Sequence, residues 1–150
     1  MSRKQLPCAA VLVFALAIVA FAQSEGVPAY NQAAPKKGAQ LAPIVPKTQR
    51  LGEAYAMKYQ QAAYDVAQKI PGVLYQMPCY CYCDRIGHNS LRTCFESAHG
   101  AHCATCMKEA FYAYFQTKKG KTPKQIRDGI IRGEWKDLDL EQSADRATKM

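Results

Sequence analysis

Cys79, Cys81, Cys83, Cys94, Cys103 and Cys106 fall within 28 residues, and all three histidines of the chain, His88, His99 and His102, lie in the same stretch. This density of thiols and imidazoles is the strongest constraint on what the chain can fold into. The ordered part expected around it, residues 51–135, is small enough that its hydrophobic core is modest. In domains of that size a cross-link or a metal helps to hold the fold. The cluster is therefore structural at minimum, and the open question is which chemistry it adds.

The compartment bears on that question. Arg3 and Lys4 precede an apolar run from Ala9 to Ala22 that closes on Ala20-Phe21-Ala22. A basic start, a short apolar run and a small-residue site are the layout of a signal peptide, here residues 1–22 with cleavage before Gln23. The run is too short for a standard membrane span; the alternative is an uncleaved N-terminal anchor. Cys8 precedes the apolar run, where a lipid-modified cysteine would follow it, so it has no expected role in the mature chain. Periplasmic or extracellular location is the expectation, and there disulfides persist. Loss of residues 1–22 lowers the formal charge from +8 to +6. The basic residues are scattered and no nucleic-acid-binding motif accompanies them, so a solvated surface is expected and nucleic acid is not a partner.

Pro28, Pro35, Pro43 and Pro46 punctuate residues 23–50 with no apolar period between them, the composition of a flexible linker. Beyond it the pattern is helical. Tyr55, Tyr59, Ala62, Val66 and Ile70 form one amphipathic stripe starting near Leu51 and ending at Pro71-Gly72. A second helix is expected from about His102 to Lys118, with Cys103, Cys106, Met107, Ala110, Phe111 and Tyr114 facing inward and Gly120 as its stop. Thr122 and Pro123 open a third that runs through Ile126, Ile130 and Ile131 towards Trp135. Residues 136–150 read as a polar tail that frays. The expected fold class is all-α, a small helical bundle with an irregular Cys/His-rich loop.

Three chemistries suit that loop. The first is binding of a thiophilic metal such as zinc or copper, with Cys79, Cys81, Cys83, Cys94, Cys103, Cys106, His88, His99 and His102 as candidate ligands. A structural zinc site is satisfied by four ligands, so these candidates leave room for extra donors or a disulfide. On a helix, His102 and Cys106 would share a face, as would His99 and Cys103 if it began early. The second is thiol–disulfide exchange with a partner thiol protein, using Cys103-x-x-Cys106 near a helix start, though without a thioredoxin-like βαβ pattern. The third is a disulfide framework, worth about 2–4 kcal/mol per bond, with the six mature cysteines paired in one of several ways. Haem attachment is excluded because Met107, not histidine, follows Cys106.

The motifs also carry a resemblance. Pro78-Cys79-Tyr80-Cys81-Tyr82-Cys83 is followed by Gly87-His88, Ser90-Leu91, Cys94-Phe95 and His102-Cys103-x-x-Cys106, then by Gly120-Lys121-Thr122 and Ile126-Arg127. Over about residues 70–130 this resembles the bacterial proteins with a PCYCGC motif, also described as the CYCXC family of proteins and selenoproteins. Tyr82 stands where that family usually has glycine, which stiffens the loop and narrows access to Cys83. The resemblance implies export and a thiol or metal protein, since a position that can host selenocysteine suits a soft nucleophile or ligand. It implies no substrate.

Other constellations are bland. Tyr75, Tyr80, Tyr82, Tyr112 and Tyr114 are expected to fill the core and pack the loop. Asp84 and Glu96 are candidates only to orient a ligand from behind. No phosphate-binding loop or catalytic triad appears, so no conventional enzyme is expected.

Overall fold

A computed structural model describes residues 26–150. The expected signal peptide at 1–22 lies outside these residues. Among those described there are five helices and no strand: α1 Lys58–Lys69, α2 Pro71–Leu74, α3 Ala104–Lys118, α4 Pro123–Ile131 and α5 Leu140–Thr148. None is long and apolar enough to cross a membrane.

Helix α1 begins later than Leu51, after a separate 3-10 turn at Glu53–Tyr55. Met57 is extended, and its backbone N–H donates to Gln60 Oε1 at 2.8 Å, which starts the helix there. Pro71 does end α1, because its ring removes an N–H, and it then serves as the first residue of α2. The inner face of α1 buries Ala63, Tyr64, Val66 and Ala67. α3 is the central element and packs against α1, α4 and α5. Its Cys106, Ala110, Phe111 and Tyr114 are buried, as the apolar stripe predicts. α4 is capped as expected: Thr122 Oγ1 accepts from the Gln125 N–H, and Gln125 Oε1 accepts from the Thr122 N–H. Trp135 packs behind it and donates from Nε1 to the Ile130 carbonyl at 3.2 Å.

The C-terminal expectation needs correction. Residues 140–148 form α5, capped by Asp139, which accepts from the Gln142 N–H at 2.8 Å. The buried face consists of Ser143, Ala144 and Ala147 and rests on α1 and α3. Small side chains allow close approach without a large apolar stripe, so the segment reads as polar although it docks.

The proline-rich segment lacks helix and strand from residue 26 to Pro46, as its composition suggests, yet it is laid against the helices. The Val45 N–H donates to the Phe95 carbonyl at 3.0 Å, and Arg92 donates to the Ala42 carbonyl at 2.6 Å. Buried Arg50 bridges the Val45 carbonyl and Asp65. These contacts supply partners for extended backbone that would otherwise need water.

Docking of α5 predicts that Ala144→Glu, which drives a carboxylate into a fully buried site, lowers unfolding free energy by about 2–3 kcal/mol. The check is the urea midpoint; a frayed tail would leave it unchanged.

Candidate metal centre

The Cys-rich loop starts from buried Met77, whose carbonyl accepts the Leu91 N–H at 2.9 Å and so closes residues 78–90 into a compact excursion. Inside it the chain reverses at Tyr82, which has φ 56° and ψ 36°, the left-handed region. A 3-10 turn at Cys83–Ile86 follows, ended by Gly87 with φ 94°, and the His88 N–H returns to the Cys83 carbonyl. Two further 3-10 turns, Leu91–Phe95 and Ala98–His102, present Cys94 and His99. They meet closely at Gly100, where a Cβ would stand 2.8 Å from the Cys94 carbonyl oxygen. A side chain there would push the two turns apart.

This folding gathers Cys81, Cys83, Cys94, His99 and Cys106 so that one donor atom from each lies within 4.8 Å of all the others. Cys79 adjoins them, its sulfur 3.0 Å from that of Cys81 and 3.5 Å from that of Cys106. Cys81 is also 2.7 Å from Cys83 and 3.4 Å from Cys106, sulfur to sulfur. His99 Nε2 stands 3.0 Å from Cys83 Sγ. His88 is at the margin: its Nδ1 lies 3.3 Å from Cys94 Sγ, and its ring meets that of His99 edge to face. Cys103 neighbours Cys81 and Cys106. All six cysteines among the described residues are free thiols. The sulfurs converge on one place and do not lie in separate bonded pairs.

Two expectations about α3 change. The helix begins at Ala104, and Cys103 is extended with φ −123° and ψ 108°, so it precedes the first turn. His102 ends the preceding 3-10 turn and is exposed, away from the convergent set. Ser97 accepts the His99 N–H and starts that turn, which competes with an earlier beginning of α3. Asp84 and Glu96 are engaged elsewhere, Asp84 accepting the Ala29 N–H at 3.2 Å and Glu96 pairing with Arg92.

The residue missed by sequence reasoning is Glu109. It lies on α3, fully buried, and its Oε1 accepts the Tyr80 N–H at 2.9 Å. A carboxylate three residues after Cys106, among Met107, Ala110 and Phe111 on the apolar face, was the available signal. Burial pushes the Glu109 carboxyl up to about 8, so it is largely protonated near neutrality.

Thiol ionisation is uneven. Hydrogen bonding from Cys103, Cys106 and Cys79 holds Cys81 well below the usual thiol range, making it the thiolate of the group. Burial and then the Cys81 neighbour push Cys83 up, and hydrogen bonding with Cys103 and Cys79 raises Cys106. Burial followed by His99 lowers His88, which keeps its imidazole neutral and able to ligate. One thiolate surrounded by thiols and imidazoles is a donor set for a soft cation, with protons to release as each further sulfur binds.

A family model described as a protein of unknown function with PCYCGC motif matches residues 53–138, more than half of the chain. The chain belongs to this PCYCGC family. A comparison with curated proteins and with solved structures found no match. The family motif has glycine where this chain has Tyr82, and the left-handed backbone there explains the preference. Tyr82 offsets the cost with ring contacts, edge-to-face with Tyr80 and under the Arg85 guanidinium at 4.9 Å.

Reversion to the family residue, Tyr82→Gly, is therefore expected to change stability by less than about 1 kcal/mol, as lost ring contacts and relieved backbone cancel. Tyr82→Val keeps the strain, loses the rings and costs about 1–3 kcal/mol. Thermal melts of the two variants check the contrast.

Glu109 predicts a pH dependence for the reduced, metal-free protein. Its unfolded form ionises near 4.5 and its folded form near 8, so the stability it contributes is complete below 4.5 and lost as pH rises through 8. Denaturant midpoints should fall across that window, and Glu109→Gln, which keeps an acceptor for the Tyr80 N–H, should flatten the fall.

Proposed function

We propose that this PCYCGC-family protein binds a thiophilic metal ion, zinc or copper, outside the cytoplasm. The observation that carries the reading is the convergence of four cysteine sulfurs and one imidazole within 4.8 Å of one another. Four thiolates or imidazoles close a structural zinc site, and soft sulfur donors equally suit Cu(I). The surrounding fold favours a ligand role. Cys106 is anchored in the core on α3, Cys94 is wholly buried, and the loop holding Cys79 to Cys83 is pinned by Glu109. Preorganised donors of this kind lose little freedom on binding.

Export rests on Arg3, Lys4 and the apolar run to Ala22, and it fits a role in holding or buffering metal where free thiols are otherwise oxidised. Thiol exchange by Cys103 and Cys106 has less support. A redox-active thiol gains from a lowered pKa, whereas Cys103 is raised: Cys106 pulls it down, but Cys81 and burial outweigh that.

The test is to express the chain with its N-terminus intact, purify it from the periplasm without chelator or reductant, and measure bound metal by elemental mass spectrometry alongside thiols open to alkylation. Stoichiometric metal with cysteines that alkylate only after its removal is expected. Absence of metal with all six cysteines oxidised would overturn the reading and leave a disulfide-stapled domain.

A further inference from the structure

Resting on the metal-binding reading above, we infer that the site holds a compact cluster of two or more Cu(I) ions sharing thiolates, not a single ion. Three observations lead there.

The donors are too many for one ion. Cys81, Cys83, Cys94, Cys106 and His99 already exceed a closed tetrahedron, and Cys79 adds a sulfur in contact with two of them.

Their arrangement is that of shared sulfur. Cys81 has the sulfurs of Cys79, Cys83 and Cys106 at 3.0, 2.7 and 3.4 Å, so it is the hub of the group. Two thiolates on one tetrahedral zinc, at about 2.3 Å from the metal, stand about 3.8 Å apart. Any bound cation spreads these sulfurs, and the one at the centre of three others is placed to bridge, which thiolate lone pairs allow and an imidazole nitrogen does not. Two zinc tetrahedra would spread their outer ligands well beyond the 4.8 Å limit that contains this set. Cu(I) is satisfied by about two or three soft donors, so five sulfurs and an imidazole are enough for two or more such ions.

Charge points the same way. The sulfurs face one another and the imidazoles of His88 and His99. One divalent ion offsets two thiolates, and each further sulfur bound as thiolate would add a net negative charge that burial makes unfavourable. Several monovalent cations let each sulfur bind: every thiol gives its proton to solvent as a Cu–S bond forms, and because copper enters as Cu(I) no electron is transferred.

The experiment is an anaerobic titration of the full chain, reduced and stripped of metal, with Cu(I) supplied as its bicinchoninate complex and, separately, with Zn²⁺ against a chromophoric chelator. At least two Cu(I) per chain and at most one zinc are expected. Cys81→Ser, checked for helical content by circular dichroism, should lose half or more of the Cu(I) capacity. Saturation at one Cu(I) would overturn the cluster and leave the single-ion reading standing. Two or more zinc ions would overturn the compact low-coordinate assignment. Binding of neither metal would overturn both.

Discussion

The hydrogen bond from the Tyr80 N–H to Glu109 joins the two halves of the site. Glu109 belongs to α3, the helix that packs on most of the others, and Tyr80 sits between Cys79 and Cys81. Through this bond the register of an irregular loop is referred to the central helix of the fold. The acid is buried at a position where ionisation is unfavourable, so it serves the backbone as a largely neutral acceptor. An ordinary apolar residue at 109 would suit the core better and leave the Tyr80 N–H without that partner, at the cost of a buried unsatisfied donor.

Around that bond, close approaches do the assembling. Gly100 lets the His99 turn touch the Cys94 carbonyl, and the Tyr64 hydroxyl, reaching up from α1, donates to the Ser97 carbonyl and accepts the Ala101 N–H. The left-handed residue at 82 folds Cys81 and Cys83 towards each other, where an extended strand would send alternate side chains to the same face at wider spacing. The thiol cluster is thus a product of turns, and each turn is fastened to a helix.

Much of this was legible in the chain. The stripes of α1 and α3 have the helical period, the Thr122-Pro123 start of α4 is a strong local signal, and the grouping of cysteines with histidines marks the site and the family. What was not legible depends on spatial neighbours. His102 looked like a partner of Cys106 by spacing along a helix, but the helix starts after Cys103, because a Ser97-capped 3-10 turn takes the preceding residues. α5 escaped because alanines and a serine make a narrow contact face whose value lies in what packs on it. Glu109 escaped because a lone acid on an apolar stripe gives no hint of which backbone donor will meet it.

The Ala29 N–H is bonded to Asp84, the residue after Cys83, so the chain's entry into the domain is tied at the rim of the thiol site. Between Gln23 and Ala29 the covalent chain spans at most about 20 Å. Any surface or partner that holds the chain just ahead of the domain must therefore lie within that distance of the rim. The entering chain and the turn that carries Cys83 are thus neighbours, joined through Asp84. Whatever pulls on the chain just ahead of Ala29 therefore pulls, through Asp84, on the turn that carries Cys83.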